Sequence, residues 1–317
     1  MVITEFGKRC LTALLLIAAF SVILVLRAFT GVFGVYVFDA LILVAAGIGT
    51  WEICNACKLN RRGSNAVVAM VVEALIYFFY ILGTVFFKDP LPWWLLLIVS
   101  FVIVMIFVMF IGLSNMIDKK MAKECDLQKK NLNKEAWGGA LDLLSMIFYP
   151  GVFFACAVVL NHMTTDSIGL FGILLVVFIS CFTDIFAYCV GKVLGKGSPK
   201  MAPKVSPKKT WVGFFGSIFG GILGALITVW IISGNQGLSD RLFAMTKDAN
   251  LTQMIFIAVG IAGAVFTTIG DLLASFIKRK VGIKDYGHIL PGHGGVMDRV
   301  DGIILNVPFI LLIMGII

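Results

Sequence analysis

In the stretch Gly270–Lys280 (GDLLASFIKRK) three side chains share one face of any helix that contains them. At 100° per residue, Asp271, Ser275 and Lys278 fall at about 0°, 40° and −20°. A carboxylate, a hydroxyl and an ammonium therefore point the same way. Alone, Lys278 and Arg279 would read as snorkelling residues at a membrane boundary. The polar loop that follows argues for more: Lys284-Asp285, then Pro291-Gly292-His293-Gly294-Gly295-Val296-Met297-Asp298-Arg299-Val300-Asp301. Glycines there let backbone N–H groups approach an anion closely, and His293 within Gly-His-Gly-Gly reads as a phosphate contact. Asp298 and Asp301, spaced i, i+3, fall on one side of a helix that starts there. Paired carboxylates beside cations suit Mg²⁺ bridging a polyphosphate, since magnesium takes few protein oxygens and shares those of the phosphates.

A second basic stretch, Lys192–Lys209, carries six lysines and no acid. Its plain reading is a solvated loop attracted to anionic lipid. Ser206-Pro207-Lys208-Lys209-Thr210-Trp211, however, sits at the mouth of an apolar span, which points to a share in the same chemistry. Gly191–Ser198 (GKVLGKGS) lacks the G-x-x-x-x-G-K-[ST] spacing and a preceding strand, so it is not a P-loop. Asp184 lies inside an apolar span just before glycine-punctuated basic sequence. Asp39 and Glu73 also lie inside spans, but their surroundings are featureless, and helix–helix polar contacts account for them. The seven cysteines lie mostly in apolar runs and read as small buried hydrophobes; a lone Cys54-x-x-Cys57 is weak evidence for a metal.

The elements that must position these groups follow from composition. Of 317 residues, 60% are hydrophobic and 14% charged, and the mean hydropathy is +1.00. Such a composition excludes disorder, a coiled coil and an ordinary water-soluble enzyme. A helix needs about 20 apolar residues to cross a bilayer, and nine segments qualify: 10–26, 31–50, 66–87, 91–117, 143–160, 167–190, 211–232, 251–277 and, least clearly, 303–317. The expectation is an all-α polytopic membrane protein of about nine transmembrane helices. The first segment reads as a retained anchor, since it is long for a signal peptide and lacks an A-x-A site. With the spans alternating, 22 of the 26 Lys and Arg fall on one side and only Arg27, Lys88, Arg241 and Lys247 on the other. The positive-inside rule then places the N-terminus and the basic loops in the cytoplasm. Residues 1–137 form N-terminal spans and a mixed-charge linker (118–137), and 138–317 form the C-terminal region that carries the chemistry.

Ser275-x-x-Lys278-Arg279-x4-Lys284-Asp285, followed by Pro291, His293-Gly294-Gly295 and Asp298-Arg299-x-Asp301, resembles the diagnostic motif of the phosphatidate cytidylyltransferase (CDP-diacylglycerol synthase) family. Ser206-Pro-Lys-Lys-Thr and Asp184-x-x-Ala187-Tyr188 with Gly191-Lys192 resemble further elements of it. The resemblance covers roughly 138–317; the N-terminal spans match in hydropathy only. Val212 departs from a position that is often Glu. The resemblance implies that CTP and phosphatidate give CDP-diacylglycerol and pyrophosphate, the first committed step of phospholipid synthesis, at the cytoplasmic face of the cell membrane. It implies Asp271 and Asp298 as principal metal ligands with Asp301 as helper, for Mg²⁺ and conceivably a second cation. Lys278, Arg279, Lys284 and Arg299 would clamp the two phosphate-bearing substrates. Ser206, Lys208, Lys209 and Thr210 would close the site from the other loop, Ser275, Asp285, His293, Gly294 and Gly295 would line it, and Asp184 would order the loop or approach a metal. No nucleic acid is expected, and a homodimer is left open. Two rivals remain, a related CTP-dependent lipid kinase and, at greater distance, an ion-coupled transporter. A transporter would place its polar groups near the bilayer midplane and show inverted repeats; here the polar groups crowd one face.

Overall fold

The computed structural model describes residues 5–56, 65–86, 147–163, 166–234, 248–290 and 294–316. The expected span 91–117, the linker 118–137 and His293 lie outside the described residues. Eight α-helices and one two-stranded ribbon make up the described chain: α1 Glu5–Phe29, α2 Val32–Ala56, α3 Asn65–Phe86, α4 Phe153–Asn161, α5 Asp166–Val193, β1 Lys200–Ala202, β2 Ser206–Thr210, α6 Trp211–Ser233, α7 Ala249–Val281 and α8 Met297–Ile316. Among the described residues, Val32–Ala56, Ile168–Val193, Trp211–Ser233 and Asn250–Arg279 are long and apolar enough to cross a membrane. Large apolar side chains such as Phe215, Phe219 and Trp230 stay exposed on the outside of these helices, as a lipid-facing surface requires.

The fifth expected span, 143–160, is not one helix. Ile147–Val152 is a π-helical turn in which Tyr149 leaves helical geometry (φ −128°, ψ 99°), and α4 begins only after it. Pro150 is the cause: its ring disfavours helical backbone at the residue before it. Packing divides the chain into two compact units, Leu43–Ala155 and the combination of Met1–Ile42 with Cys156–Ile317. The second unit holds the chemistry. Within the first, Glu73 accepts a hydrogen bond from Thr50 of α2 at 2.7 Å, which is the helix–helix polar contact expected of it.

In the second unit α5, α6, α7 and α8 pack on one another. Gly216, Gly220 and Gly224 form a stripe at four-residue spacing that lets α6 lie directly on the backbone of α5; a β-carbon on Gly224 would come within 2.6 Å of the Phe178 carbonyl oxygen. Small residues at this spacing permit the close helix approach that membranes favour. Each helix boundary near the site has a local cause. Thr210 caps α6, its Oγ1 accepting from the Gly213 N–H at 3.1 Å. At the other end of α7, Gly282 adopts φ 81°, and the Gly282 and Ile283 N–H groups close onto the Arg279 and Lys278 carbonyls. This Schellman-type stop reverses the chain, so that residues 284–290 fold back beside α7.

The second basic stretch holds a feature outside the all-α expectation. Lys192 continues α5, but residues 200–210 form an antiparallel ribbon in which Lys200 pairs with Thr210 and Ala202 with Ser206. Pro203 fits position i+1 of the turn closed by the Val205 N–H on the Ala202 carbonyl. Pro207 is tolerated because a two-stranded ribbon has only edges. The cysteines divide: Cys54 and Cys156 are buried as expected, whereas Cys181 and Cys189 are exposed on α5.

A buried ionic cluster ties α1, α2 and α4 together. The Asn161 side chain accepts from Arg27 Nε at 2.7 Å and donates to Asp39 Oδ1 at 2.8 Å and to the Val35 carbonyl at 3.0 Å. Asp39 also pairs with His162 at 2.5 Å. Arg27 is 2% exposed and Asp39 0%, so Asp39 has the helix–helix role expected of it. Removing a bridge between buried charges is costly. Asn161→Leu is expected to lower stability by about 3 kcal/mol, read from the denaturant midpoint in detergent; an unchanged midpoint would contradict this role.

Candidate active site

Two ammonium groups organise the end of the bundle where α5 and α7 finish and α6 and α8 begin. Lys278 Nζ, on the last turns of α7, contacts Asp298 Oδ1 at 2.9 Å and Asp301 Oδ2 at 3.4 Å in the first turn of α8. The i, i+3 spacing of the two aspartates does what their helical register requires. Lys209 Nζ, on β2, contacts Asp271 Oδ2 at 2.5 Å, and Ser275 donates to Asp271 Oδ1 at 3.4 Å, as the stripe on α7 foretells. Side chains alternate along a strand, so Lys209 turns to Asp271 while its neighbour Lys208 is exposed.

Asp298 is the most heavily engaged of these carboxylates. Besides Lys278, its Oδ2 accepts the Tyr286 N–H at 2.8 Å and the Gly295 N–H at 3.0 Å. Reaching back to Gly295 resembles the return half of a capping box, and the bond from Tyr286 ties the segment after α7 to α8. Gly294 has φ 82°, and a β-carbon there would stand 3.0 Å from Asp298 Oδ2, so the turn needs glycine on both counts. Only 4% of the Asp298 side chain is exposed, against 31% for Asp271.

Asp184 and Asp301 complete the group. A β-carbon on Gly302 would lie 3.7 Å from Asp184 Oδ2, and Asp184 stands within electrostatic reach of Asp271 and Lys209. Asp301 precedes the apolar stretch of α8. Burial pushes its carboxyl up to about 7, the Asp271 carboxylate adds to the rise, and Lys278 opposes it. Carboxylates gathered in this way prefer to be matched by cations, whether ammonium or metal.

The structure therefore brings together Asp184, Asp271, Asp298, Asp301, Lys209, Lys278, Ser275 and the backbone of Gly295. Other expected residues stand elsewhere. Thr210 is a buried helix cap whose hydroxyl oxygen accepts the Gly213 N–H of α6. Ser206 starts β2, half-buried. Lys208, Lys284, Asp285 and Arg299 are exposed. Arg279 donates from Nε to the Val205 carbonyl at 3.4 Å and from Nη1 to the Ile283 carbonyl at 3.0 Å; it ties the ribbon turn to the end of α7. The sequence reading overlooked Tyr286, whose ring lies 5.2 Å from Lys278 Nζ and whose hydroxyl donates to the Ala274 carbonyl at 3.2 Å. An aromatic directly after Lys284-Asp285, in an otherwise polar loop, was the available signal.

The donor chemistry suits a hard divalent cation, because the acidic oxygens of Asp271 and Asp301 come from two helices and face each other's charge. Among the described residues no three His, Cys, Asp or Glu side chains converge as they stand into a ready-made cage. Magnesium does not need one, since it keeps waters and shares substrate phosphates.

Fold and site together define a multi-pass membrane protein with a charged site at one end of its helices. The model of the cytidylyltransferase family matches residues 7–317, and the chain belongs to that family. Among its local matches are three proteins named phosphatidate cytidylyltransferase. The one from Mycobacterium bovis is 43% identical over 68 residues, 22% of this chain. The Rickettsia felis protein is 54% identical over 50 residues, 16% of the chain, and the Haemophilus influenzae protein 42% over 65 residues, 20% of the chain. In each case the match spans 22% of the relative's own length.

The ribbon is held to α7 by the Lys209–Asp271 pair and the Arg279–Val205 contact. Partly exposed pairs contribute up to about 1 kcal/mol each. The double variant Lys209→Gln/Arg279→Leu is therefore expected to speed amide hydrogen exchange in residues 200–210 by about tenfold. Exchange at the wild-type rate would show that these contacts do not hold the ribbon.

Proposed function

We propose that the protein is a phosphatidate cytidylyltransferase, an integral membrane enzyme that joins CTP and phosphatidate to give CDP-diacylglycerol and pyrophosphate. The observation that carries this reading is the Lys278 ammonium shared by Asp298 and Asp301 within a carboxylate–lysine cluster at the ends of membrane-length helices. There a soluble nucleotide and a lipid headgroup can meet while the acyl chains stay in the bilayer. Family membership and the names of the three relatives support it.

The nucleophile would be a phosphate monoester oxygen of phosphatidate, largely ionised at neutral pH because its second pKa is about 6. It attacks the α-phosphorus of CTP, a P–O bond to that oxygen forms, and the bond to the β-phosphate breaks to release pyrophosphate. No side chain has to remove a proton. The work left to the protein is positioning and neutralising charge. Lys278 is held by Asp298, Asp301 and the Tyr286 ring, so its ammonium is fixed rather than mobile and can sit against a phosphate without reorganising. Lys209 is mounted on a strand and, by exchanging Asp271 for a phosphate oxygen, would close the ribbon over the nucleotide. Exposed Lys208, Lys284 and Arg299 supply an electrostatic approach for two anionic substrates. His293 and the Gly294 backbone are proposed phosphate contacts, with Gly295 bound to Asp298 beside them and Ser206, Asp285 and Arg279 at the rim.

We assign Mg²⁺ to Asp271 and Asp301, with Asp184 nearby and Asp298 offering only what Lys278 and the two N–H groups leave free. When bound, the ion would polarise the phosphoryl oxygens and offset the charge developing on pyrophosphate. We also propose nine spans with the N-terminus and this site on the cytoplasmic side of the cell membrane, following the distribution of Lys and Arg.

Purified protein supplied with labelled CTP, phosphatidate and Mg²⁺ is expected to release pyrophosphate and form CDP-lipid. Release of CDP with a newly phosphorylated lipid would mark a CTP-dependent lipid kinase instead. Lys278→Met is expected to lower kcat by about 10²–10³-fold, with the folded state retained in detergent; a wild-type rate would remove Lys278 from the chemistry. For sidedness, a thiol reagent confined to the cytoplasm is expected to modify a cysteine introduced near Ser198, at exposed Lys196, but not one near Gly237, and the reverse pattern would invert the topology.

A further inference from the structure

One turn below the carboxylates, the same three helices share a second polar layer. The Ser180 and Thr267 hydroxyls are 3.2 Å apart, and Asn306 Nδ2 donates to Ser180 Oγ at 3.0 Å and to the Val176 carbonyl at 3.4 Å. Ser180, Thr267 and Asn306 are all buried among apolar neighbours. Their register is what gives them meaning. Ser180 precedes Asp184 by four residues on α5, Thr267 precedes Asp271 by four on α7, and Asn306 follows Asp301 by five on α8, which runs the other way. Four residues are one helical turn, about 6 Å of rise on nearly the same face. Ser180 and Thr267 thus stand beneath Asp184 and Asp271, whereas Asn306, about 140° round α8 from Asp301, lies one turn from Gly302, the residue that packs on Thr267 beside Asp184.

Between the two layers the helices touch through backbone. A β-carbon on Gly270 would meet the Asp301 carbonyl oxygen at 2.7 Å, and one on Gly302 would meet Thr267 Cγ2 at 3.3 Å. With no side chain to act as spacer, the rotation of α7 against α8 is set by whatever bonds lie just above and below. Above, Lys278 joins α7 to Asp298 and Asp301, and Tyr286 links the Ala274 carbonyl to Asp298. Below, there is the Ser180–Thr267–Asn306 layer. Packing alone does not account for Asn306, because its Oδ1 is buried with no hydrogen-bond partner, and an apolar residue of the same volume would avoid that desolvation cost.

We propose that Ser180, Thr267 and Asn306 are positioning residues: they lock the rotational register of α5, α7 and α8 and thereby the spacing of Asp184, Asp271 and Asp301. The activity arm of the test rests on the cytidylyl-transfer reading, whereas the metal-binding arm does not. Asn306→Leu keeps the volume and removes the bridge; Ser180→Ala is the milder variant that guards against misfolding. For wild type and both variants, Mn²⁺ binding is titrated by electron paramagnetic resonance without substrates, kcat and KM for CTP are measured, and the thermal midpoint is recorded.

Groups that orient a metal site from behind are typically worth about 10–100-fold in metal affinity or activity. We expect both variants to bind Mn²⁺ about tenfold more weakly and to lose kcat by a similar factor, with the midpoint unchanged. Wild-type Mn²⁺ affinity and kcat in both variants, or losses that merely follow a lowered midpoint, would overturn the proposal. A wild-type protein that binds Mn²⁺ but makes no CDP-lipid would defeat the reaction reading alone, and the Mn²⁺ affinities would still decide this one.

Discussion

The Lys278 ammonium, held between Asp298 and Asp301, is the contact on which the rest of the site depends. It joins the end of α7 to the start of α8, and through Asp298 it also holds the Tyr286 and Gly295 N–H groups. In a partly buried setting the arrangement is demanding. Removing one partner leaves a charge that water reaches poorly, so each group constrains the others more than an exposed pair would. The Tyr286 ring against Lys278 adds a face that favours the cation.

What lies around that contact serves to bring charges of opposite sign to one level. The glycine stripe of α6 lets α5 approach closely, so Asp184 reaches the group from a third helix. The Schellman stop after Val281 returns the chain beside α7 instead of letting it run on. The ribbon turn closed on Val205 delivers Lys209 to Asp271 from a fourth direction, and strand alternation leaves Lys208 outside. A bilayer around apolar helices leaves ends such as this one as the natural places for such a cluster, because ionisable groups at mid-depth are expensive. The buried Arg27–Asn161–Asp39 cluster obeys the same economy: its charges are matched by one bridging amide.

Much of the site could be read in the sequence. Helical register alone placed Asp271, Ser275 and Lys278 on one stripe and Asp298 with Asp301 on one side; the structure joins Ser275 to Asp271, and Lys278 instead joins Asp298 and Asp301. Two parts could not be read that way. Which oxygen meets which cation depends on contacts between segments tens of residues apart: nothing local says that Lys209 rather than Lys208 faces Asp271, since that follows from a strand period hidden in a lysine-rich stretch punctuated by prolines. The heavy use of Asp298 was equally invisible, because its partners are backbone N–H groups, which any residue supplies. Hydropathy likewise described an unbroken span at 143–160 and missed the break at Tyr149, although Pro150 carried the signal. Thr210 has a local role that the motif did not suggest: its Oγ1 caps α6, as Thr at the mouth of a helix commonly does.

The central claim is that this cluster is where nucleotide phosphates and a divalent ion meet. The most direct test is a structure with CTP and Mn²⁺, in which anomalous scattering locates the metal. The account predicts one metal peak at about 2.0–2.2 Å from carboxylate oxygens of Asp271 or Asp301, with a phosphate beside Lys278 and Lys209 released from Asp271. A metal and nucleotide bound elsewhere, with the Lys278–Asp298–Asp301 contacts and the Lys209–Asp271 pair undisturbed, would contradict it.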